Sequence, residues 1–222
     1  MYIRKEIKKL RKIISSYIRD NKLFSRIYFN LCFLLRYKKI YYNTEYYSND
    51  DVDHSLSNKF IRKTFAPIIN KYINNIYNIR SKKIRKTQYK IKPISVLDVG
   101  CGNNRLFKYL DNKKADFIGI DPLDQINEKF IYNSKFFQCN INHIKGKFDL
   151  IIFFGSFRII YKQSKFRLFE ILKNLSNKDT VIICFNAGYY KFSQNMKWRG
   201  TKIKLINDSI LNQNKFSVFK IL

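Results

Sequence analysis

The second half of the chain alternates short apolar runs with segments of helical periodicity. The apolar runs ISVLDV, DFIGID, KFFQCN, KFDLIIFF and TVIICF lie within residues 94–185. Runs this apolar predict strands that are buried on both faces, and a helical segment follows the first, second and fourth of them. The pattern is typical of an α/β fold with a doubly wound, mostly parallel sheet. Ligands of such sheets bind at the carboxyl ends of the strands.

The pattern after the fifth strand leaves two alternatives. Residues 201–222 fit either a helix followed by a final strand or the two strands of a hairpin. We expect the helix followed by the strand. This gives a six-stranded sheet without a last antiparallel strand.

The first 92 residues predict a helical and basic appendage. One helix carries an apolar stripe at spacings of four and three residues, with basic residues around the rest of its surface. The stripe consists of Ile3, Ile7, Leu10, Ile14 and Tyr17. A second predicted helix has an apolar face made of Ile61, Phe65, Ile68, Ile69, Tyr72, Ile73 and Ile76, and Pro67 breaks or restarts it. We therefore divide the chain into an N-terminal extension and lid, 1–92, and an α/β domain, 93–222.

The net positive charge of the chain raises the question of whether it binds an anionic partner. The chain has 44 Lys and Arg against 16 Asp and Glu, a net charge of +28. A field this positive attracts polyanions such as RNA or an anionic membrane surface. The alternative explanation of the charge is compositional drift on a solvated surface. The apolar stripe of the N-terminal helix packs either on the protein itself or on such an anionic partner.

The four cysteines are scattered, which argues against a zinc site or a disulfide framework and fits a reducing compartment. The N-terminus is charged throughout, and the longest apolar stretch is far too short for a bilayer span. We therefore expect a cytoplasmic protein without a metal site, with the surface of a membrane as an alternative location.

The candidate chemistry lies at the ends of the first two predicted strands. The first strand contains Asp98, and Gly100 and Gly102 follow, where a bare backbone can turn tightly and approach a ligand. Asp121 ends the second strand roughly 20 residues later, where a carboxylate can accept both hydroxyls of a ribose. A dinucleotide-binding turn needs a third glycine where Arg105 stands, so a nicotinamide or flavin dinucleotide is disfavoured. A carboxylate before the turn suits an ammonium group better than a phosphate.

These features resemble the class I S-adenosylmethionine-dependent methyltransferase family, whose cofactor carries both a ribose and an ammonium group. The matching stretches are VLDVGCGNNRLFKYL, FIGIDPLD, KFDLIIFFGS with its following helix, and TVIICF, and together they cover about residues 94–184. The resemblance implies a Rossmann-like methyltransferase fold that binds S-adenosylmethionine. The cofactor-binding residues that it implies are Asp98, Gly100, Cys101, Gly102, Asp121, Pro122, Asn140, Phe154 and Gly155.

The resemblance also implies a role for each part of the site. Asp98 and the glycine turn line the methionine end of the cofactor, and Asp121 holds the ribose. Asn140 accepts a hydrogen bond from the adenine amino group, while Phe154 and Gly155, with the neighbouring Ser156, border the sulfonium and the acceptor. The alternative for the two carboxylates is that each only starts the helix that follows it.

One position of the turn departs from the family's pattern. Asn104 stands where many relatives have glycine, and this departure could tighten the site.

The range of possible acceptors is narrowed mainly by motifs that the sequence lacks after the fourth strand. The chain reads FFGSFR there, without the pattern of enzymes that methylate base amines and without a cysteine nucleophile. We expect a hydroxyl of a small molecule or saccharide as acceptor, with RNA as an alternative. A second alternative is a non-catalytic binding protein on the same fold.

Methyl transfer needs a general base only where the acceptor must lose a proton. The candidates for such a base are His54, Asp53 and Tyr161, and no catalytic residue is assigned.

Overall fold

A computed structural model gives the structure of residue 27 and of residues 58–84, 91–102, 104–122, 134–157, 160–161, 167–185, 195–198, 201–211 and 214–222. Within these ranges the strands are β1 (Ile94–Val99), β2 (Ala115–Asp121), β3 (Ser134–Gln138), β4 (Phe148–Phe154), β5 (Ser176–Phe185), β6 (Asn195–Trp198), β7 (Thr201–Leu211) and β8 (Asn214–Ile221). The helices are α1 (Ala66–Ile84) and α2 (Leu168–Leu175), with a helical turn at Asn58–Phe60, a π-helical segment at Ile61–Phe65 and 3-10 helices at Arg105–Tyr109 and Ile141–His143.

The strands form a single sheet in the order β3-β2-β1-β4-β5-β8-β7-β6. The five strands from β3 to β5 are parallel, whereas β8 runs antiparallel to β5 and the last three strands pair antiparallel with one another. The predicted doubly wound, mostly parallel α/β fold is therefore confirmed, and its five apolar runs form β1 to β5. The predicted basic helix at residues 3–17 lies outside the described residues.

The predicted C-terminal helix is wrong, because residues 201–222 form the hairpin of β7 and β8. The alternation at the start of β7 places Ile203 and Leu205 on one face of the strand, and Ile203 is buried there. Strand β8 pairs with β5 along Phe216 to Phe219 and so supplies the last antiparallel strand that we did not expect.

The sequence also predicts a helix after each of the first two strands. The segment after the glycine turn forms only the five-residue 3-10 helix at Arg105–Tyr109, because the chain must reach β2 at Ala115 within a few residues. The helix predicted after Asp121 lies almost entirely outside the described residues.

Apolar side chains cover both faces of the sheet. Along β1 they alternate, so that Val96 packs on the α1 side and Leu97 on the α2 side. The α1 layer buries residues of the predicted apolar face, namely Ile61, Phe65, Ile69 and Ile73. Pro67 does not break this face, because the π-helical segment leads directly into α1.

Polar contacts join α1 to the segment before β2 and to the sheet. Asn70 donates from Nδ2 to the Tyr109 carbonyl oxygen at 2.9 Å and accepts from the Asp111 amide at 2.8 Å. Further along the helix, Arg80 forms a hydrogen-bonded ion pair with Asp149 at the start of β4. Residues 66–84 are thus packed on the α/β layers, and the division of the chain at residue 92 stays a prediction.

Candidate functional site

The chain turns sharply at the carboxyl end of β1. Gly100 has φ +74° and Gly102 has φ +56°, both in the left-handed region that favours glycine. The amides of Gly100 and Cys101 donate to the Ile120 carbonyl oxygen at 2.7 and 3.1 Å. The turn is therefore held against the end of β2.

The two glycines differ in their surroundings. A Cβ on Gly100 would lie 2.5 Å from the Cβ of Ser156, whose hydroxyl donates to the Val99 carbonyl. A Cβ on Gly102 would meet no described atom within 4 Å. Gly100 is therefore needed for close packing, whereas the position beside Gly102 is not filled by any described residue.

Asp98 is a buried carboxyl group with an unused acceptor atom. Its side chain is 1% exposed, and its Oδ1 has no hydrogen-bond partner among the described residues. Burial, and then the negative charge of Asp121, raises the pKa of Asp98 from 3.8 to about 8. The group is therefore mostly protonated at neutral pH while no cation lies beside it.

Asp121 is the last residue of β2 and is 7% exposed. Its Oδ2 accepts a hydrogen bond from the amide of Gly102 at 3.1 Å. The pairing of β1 with β2 sets Asp98 opposite Gly119, two residues before Asp121, so both carboxyl groups share the sheet face that α1 covers. The structure thus brings Asp98, the glycine turn and Asp121 together, and their binding of a cofactor stays a prediction.

Gly119, which the sequence analysis did not place in the site, and Asn104, which it noted as a departure within the turn, also lie here. Gly119 packs so closely under the turn that a Cβ on it would lie 2.8 Å from Cys101 Sγ and 2.9 Å from Asn104 Oδ1. A glycine inside an apolar strand signals a close approach of another segment, so this feature was readable from the sequence. The burial of Asn104, which is 1% exposed, was not readable.

Cys101 and Pro122 follow the two acidic strand ends. Cys101 is half-buried, and burial together with the nearby charge of Asp98 raises the pKa of its thiol well above the usual value. It is therefore a neutral thiol rather than a reactive thiolate. The Pro122 carbonyl oxygen accepts from Gln138 Nε2 at 3.4 Å, which joins the end of β2 to the end of β3.

The remaining predicted residues follow β3 and β4. Asn140 lies after β3, on the far side of β2 from Asp98, and begins a 3-10 helix. Phe154 ends β4 and stacks on Phe185 with ring centroids 5.4 Å apart. Gly155 has φ +77° and donates to the Phe185 carbonyl oxygen at 3.0 Å.

Two alternatives from the sequence are decided by these contacts. The 3-10 helix after the turn begins at Asn104 without a side-chain cap, so the alternative that Asp98 caps it is wrong. Tyr161 is 4% exposed and packs against Phe157 and Phe169 on the α2 side of the sheet, away from Asp98. His54 and Asp53 lie outside the described residues.

The described part of the chain holds no cluster of three or more His, Cys, Asp or Glu that could bind a metal ion. None of the helices in this part of the chain is both long enough and apolar enough to cross a bilayer.

Comparison with known protein families identifies the family of this chain. The model of the family described as "Methyltransferase domain" matches residues 72–203, more than half of the chain. The chain belongs to this methyltransferase family. The predicted family is therefore confirmed, and the matched range contains every predicted cofactor-binding residue. A search of the curated proteins found no match to this methyltransferase.

Several solved methyltransferases are similar to it in fold. The magnesium protoporphyrin IX methyltransferase of Synechocystis PCC 6803, solved with bound S-adenosylmethionine, is 13% identical; the match covers 93% of this chain and 95% of that one, with a TM-score of 0.47. The 1,6-didemethyltoxoflavin-N1-methyltransferase of Burkholderia thailandensis, solved with 1,6-didemethyltoxoflavin and S-adenosylhomocysteine, is 10% identical, with coverages of 68% and 78% and a TM-score of 0.46. A TehB-like enzyme of Corynebacterium glutamicum is 14% identical, with coverages of 68% and 98% and a TM-score of 0.42.

Asp98 makes the stability of this methyltransferase depend on pH. Between 3.8 and about 8, Asp98 holds a proton in the folded state that it lacks in the unfolded state. Its contribution to the free energy of unfolding is complete below pH 3.8 and falls by about 1.4 kcal/mol per pH unit until it is lost near pH 8. We expect urea unfolding at pH 6 and pH 7 to show this extra loss in the wild type but not in Asp98→Asn.

The control for this measurement is Asp116→Asn, at an exposed position of β2. It should keep the pH dependence of the wild type. An Asp98→Asn variant with that same dependence would contradict the raised pKa of Asp98.

Proposed function

We propose that this chain is an enzyme that binds S-adenosylmethionine and transfers its methyl group to a hydroxyl of a small molecule or saccharide. The observation that carries the proposal is the unpartnered Oδ1 of Asp98, buried at the carboxyl end of β1 beside a left-handed glycine turn. A buried polar atom without a partner costs roughly 1–3 kcal/mol. An ammonium group placed against Asp98 would offset this cost.

The cofactor-binding roles that we propose follow the order of the strands. Asp98 would hold the ammonium group, and the open side of Gly102 would admit the amino-acid tail. Asp121 would accept from the ribose hydroxyls, since a carboxylate can accept several hydrogen bonds in addition to the one from the Gly102 amide. Pro122 and Asn140 would line the adenosine.

The end of β4 would form the wall beside the reacting atoms. Methyl transfer from a sulfonium is an in-line displacement with a neutral thioether as leaving group, so alignment with the acceptor supplies much of the rate. Phe154 packs against Phe65, with ring centroids 4.6 Å apart, and against Phe185. Together with Gly155, this apolar wall would orient the acceptor and exclude water. His54 and Asp53 stay candidates for the base that a hydroxyl acceptor requires.

The test is calorimetric titration of the full chain with S-adenosylmethionine and with S-adenosylhomocysteine. We expect saturable binding of both ligands, followed by transfer of labelled methyl to a pool of saccharides or hydroxylated small molecules. Failure to bind either ligand would overturn the proposal. Binding without transfer to any acceptor pool would favour the non-catalytic alternative.

RNA is the second candidate acceptor, and the net charge of +28 favours it. Exposed basic side chains lie on the described helices, among them Arg62, Lys63, Lys71 and Lys82. An enzyme that neutralises 6–10 phosphates should lose roughly 10³–10⁵ in affinity between 50 and 200 mM salt. Filter binding of a structured RNA at both salt concentrations, with methyl-transfer assays on the same RNA, separates this candidate from the saccharide one.

We place the enzyme in the cytoplasm, with the anionic face of a membrane as a second location. The free thiols of Cys101 and Cys184 agree with a reducing compartment. Fractionation of cells that produce the full chain, in low and high salt, would test the placement. Recovery in the membrane fraction only at low salt would indicate electrostatic attachment.

A further inference from the structure

Asn104 is a buried amide without the partners that such a group needs. It stands at φ +66°, and its Oδ1 and Nδ2 both lack a hydrogen-bond partner among the described residues. Asparagine tolerates left-handed backbone in exposed turns, where water or nearby backbone satisfies its amide. Here the side chain is 1% exposed, so an unsatisfied donor and acceptor lie inside the protein.

The position of this amide ties it to Asp98. Asn104 Oδ1 lies 2.9 Å from the point that a Cβ on Gly119 would occupy, and Gly119 is the β2 partner of Asp98. Asp98 and Gly119 present the same sheet face, so the amide and the carboxyl group lie over neighbouring strand positions. One offers a hydrogen-bond donor and the other an acceptor, and both are unpartnered.

These two groups complement the two charges of an amino-acid tail. A zwitterion needs an acceptor for its ammonium group and a donor for its carboxylate. Arg105, the next residue, directs its Nη1 to Asn58 Oδ1 at 3.4 Å, toward the helix before α1. Among the described residues of the turn, Asn104 therefore offers an unpartnered side-chain donor on the sheet face of Asp98.

We propose that Asn104 is a further cofactor-binding residue, which donates from its side-chain amide to the carboxylate of the amino-acid tail whose ammonium group Asp98 holds. This inference rests on the proposed function. Asn104 thus has a direct role in binding at a position where many relatives have glycine.

The competing explanation is that Asn104 only fills the space above Gly119. The two explanations differ in how they depend on the tail of the ligand. A space-filling residue shapes the turn for every adenosine ligand, whereas a tail-binding residue affects only ligands that carry the tail. 5′-Methylthioadenosine lacks the amino-acid tail that S-adenosylhomocysteine has.

The experiment titrates the wild type and Asn104→Gly with both ligands. We expect the variant to lose about 10-fold to 100-fold in affinity for S-adenosylhomocysteine, because a hydrogen bond to a charged group is lost. Its affinity for 5′-methylthioadenosine should equal that of the wild type. Unchanged affinity for S-adenosylhomocysteine, or an equal loss for both ligands, would overturn the inference.

Asn104→Leu is a second variant that keeps the approximate shape of the side chain. It removes the donor without adding an ionisable group, so it should also lose the ligand with the tail and keep the one without it. Asn112→Gly, in the turn before β2, serves as the control and should bind both ligands like the wild type. If the wild type binds neither ligand, the proposed function fails, and this inference fails with it; binding of both with no selective loss in the variants overturns this inference alone.

Discussion

Asp98→Asn is expected to weaken the binding of S-adenosylmethionine by about 100-fold, because it removes one partner of a buried charge pair. Asparagine keeps the shape of the side chain, so the change isolates the charge. Binding should also release about one proton from the wild type at pH 7, since the raised pKa of Asp98, about 8, keeps the group protonated until the cofactor arrives. Calorimetry in two buffers with different ionisation enthalpies measures both effects.

Asp116→Asn is the matched control for this prediction, since it makes the same change of charge at an exposed position of β2. It should bind the cofactor and release the proton as the wild type does. Should Asp98→Asn match this control in both measurements, Asp98 does not hold the ammonium group.

Gly100→Ala is expected to lower the free energy of unfolding by about 3 kcal/mol, the sum of a steric clash and a strained backbone. The added methyl would lie 2.5 Å from the Cβ of Ser156, at a φ of +74°. Ser156 cannot move aside without losing the hydrogen bond that its hydroxyl donates to the Val99 carbonyl. Denaturant unfolding with an unchanged m-value would measure the loss.

Gly102→Ala provides the comparison within the same turn. Its φ of +56° is also left-handed, but the added methyl meets no described atom within 4 Å, so about 1 kcal/mol is expected. A second change, Ser156→Gly in the Gly100→Ala background, should recover the steric part of the loss. Equal losses in the two alanine variants would show that Gly100 is not tightly packed.

The parallel half of the sheet was predictable because its strands are continuous apolar runs. ISVLDV coincides with β1, Ile94–Val99, since a strand buried on both faces has few polar positions. The first strand of the C-terminal hairpin was predicted to be a helix, because the spacing of Ile203, Leu205 and Ile206 fits both helical and strand periodicity. The interaction that selects the strand is the pairing of residues such as Phe185 with Phe216, which are distant in the sequence.

The candidate site was predictable in its residues but not in its electrostatics. Asp98 and Asp121 were identified from their places at strand ends and from the resemblance. That Asp98 has an unpartnered oxygen and a raised pKa depends on the distance between neighbouring strands and on the depth of burial. The environment of Asn104 likewise arises only when the turn packs over Gly119, which local sequence does not report.

The strand order has a consequence for how the protein assembles. Strand β8 joins β5 on one side and β7 on the other, so β6 and β7 reach the rest of the sheet only through β8. Pairing of β8 with the edge of β5 therefore joins the last three strands to the parallel half of the sheet. The chain reaches β8 last, so β6 and β7 are synthesised before the strand that connects them to β5.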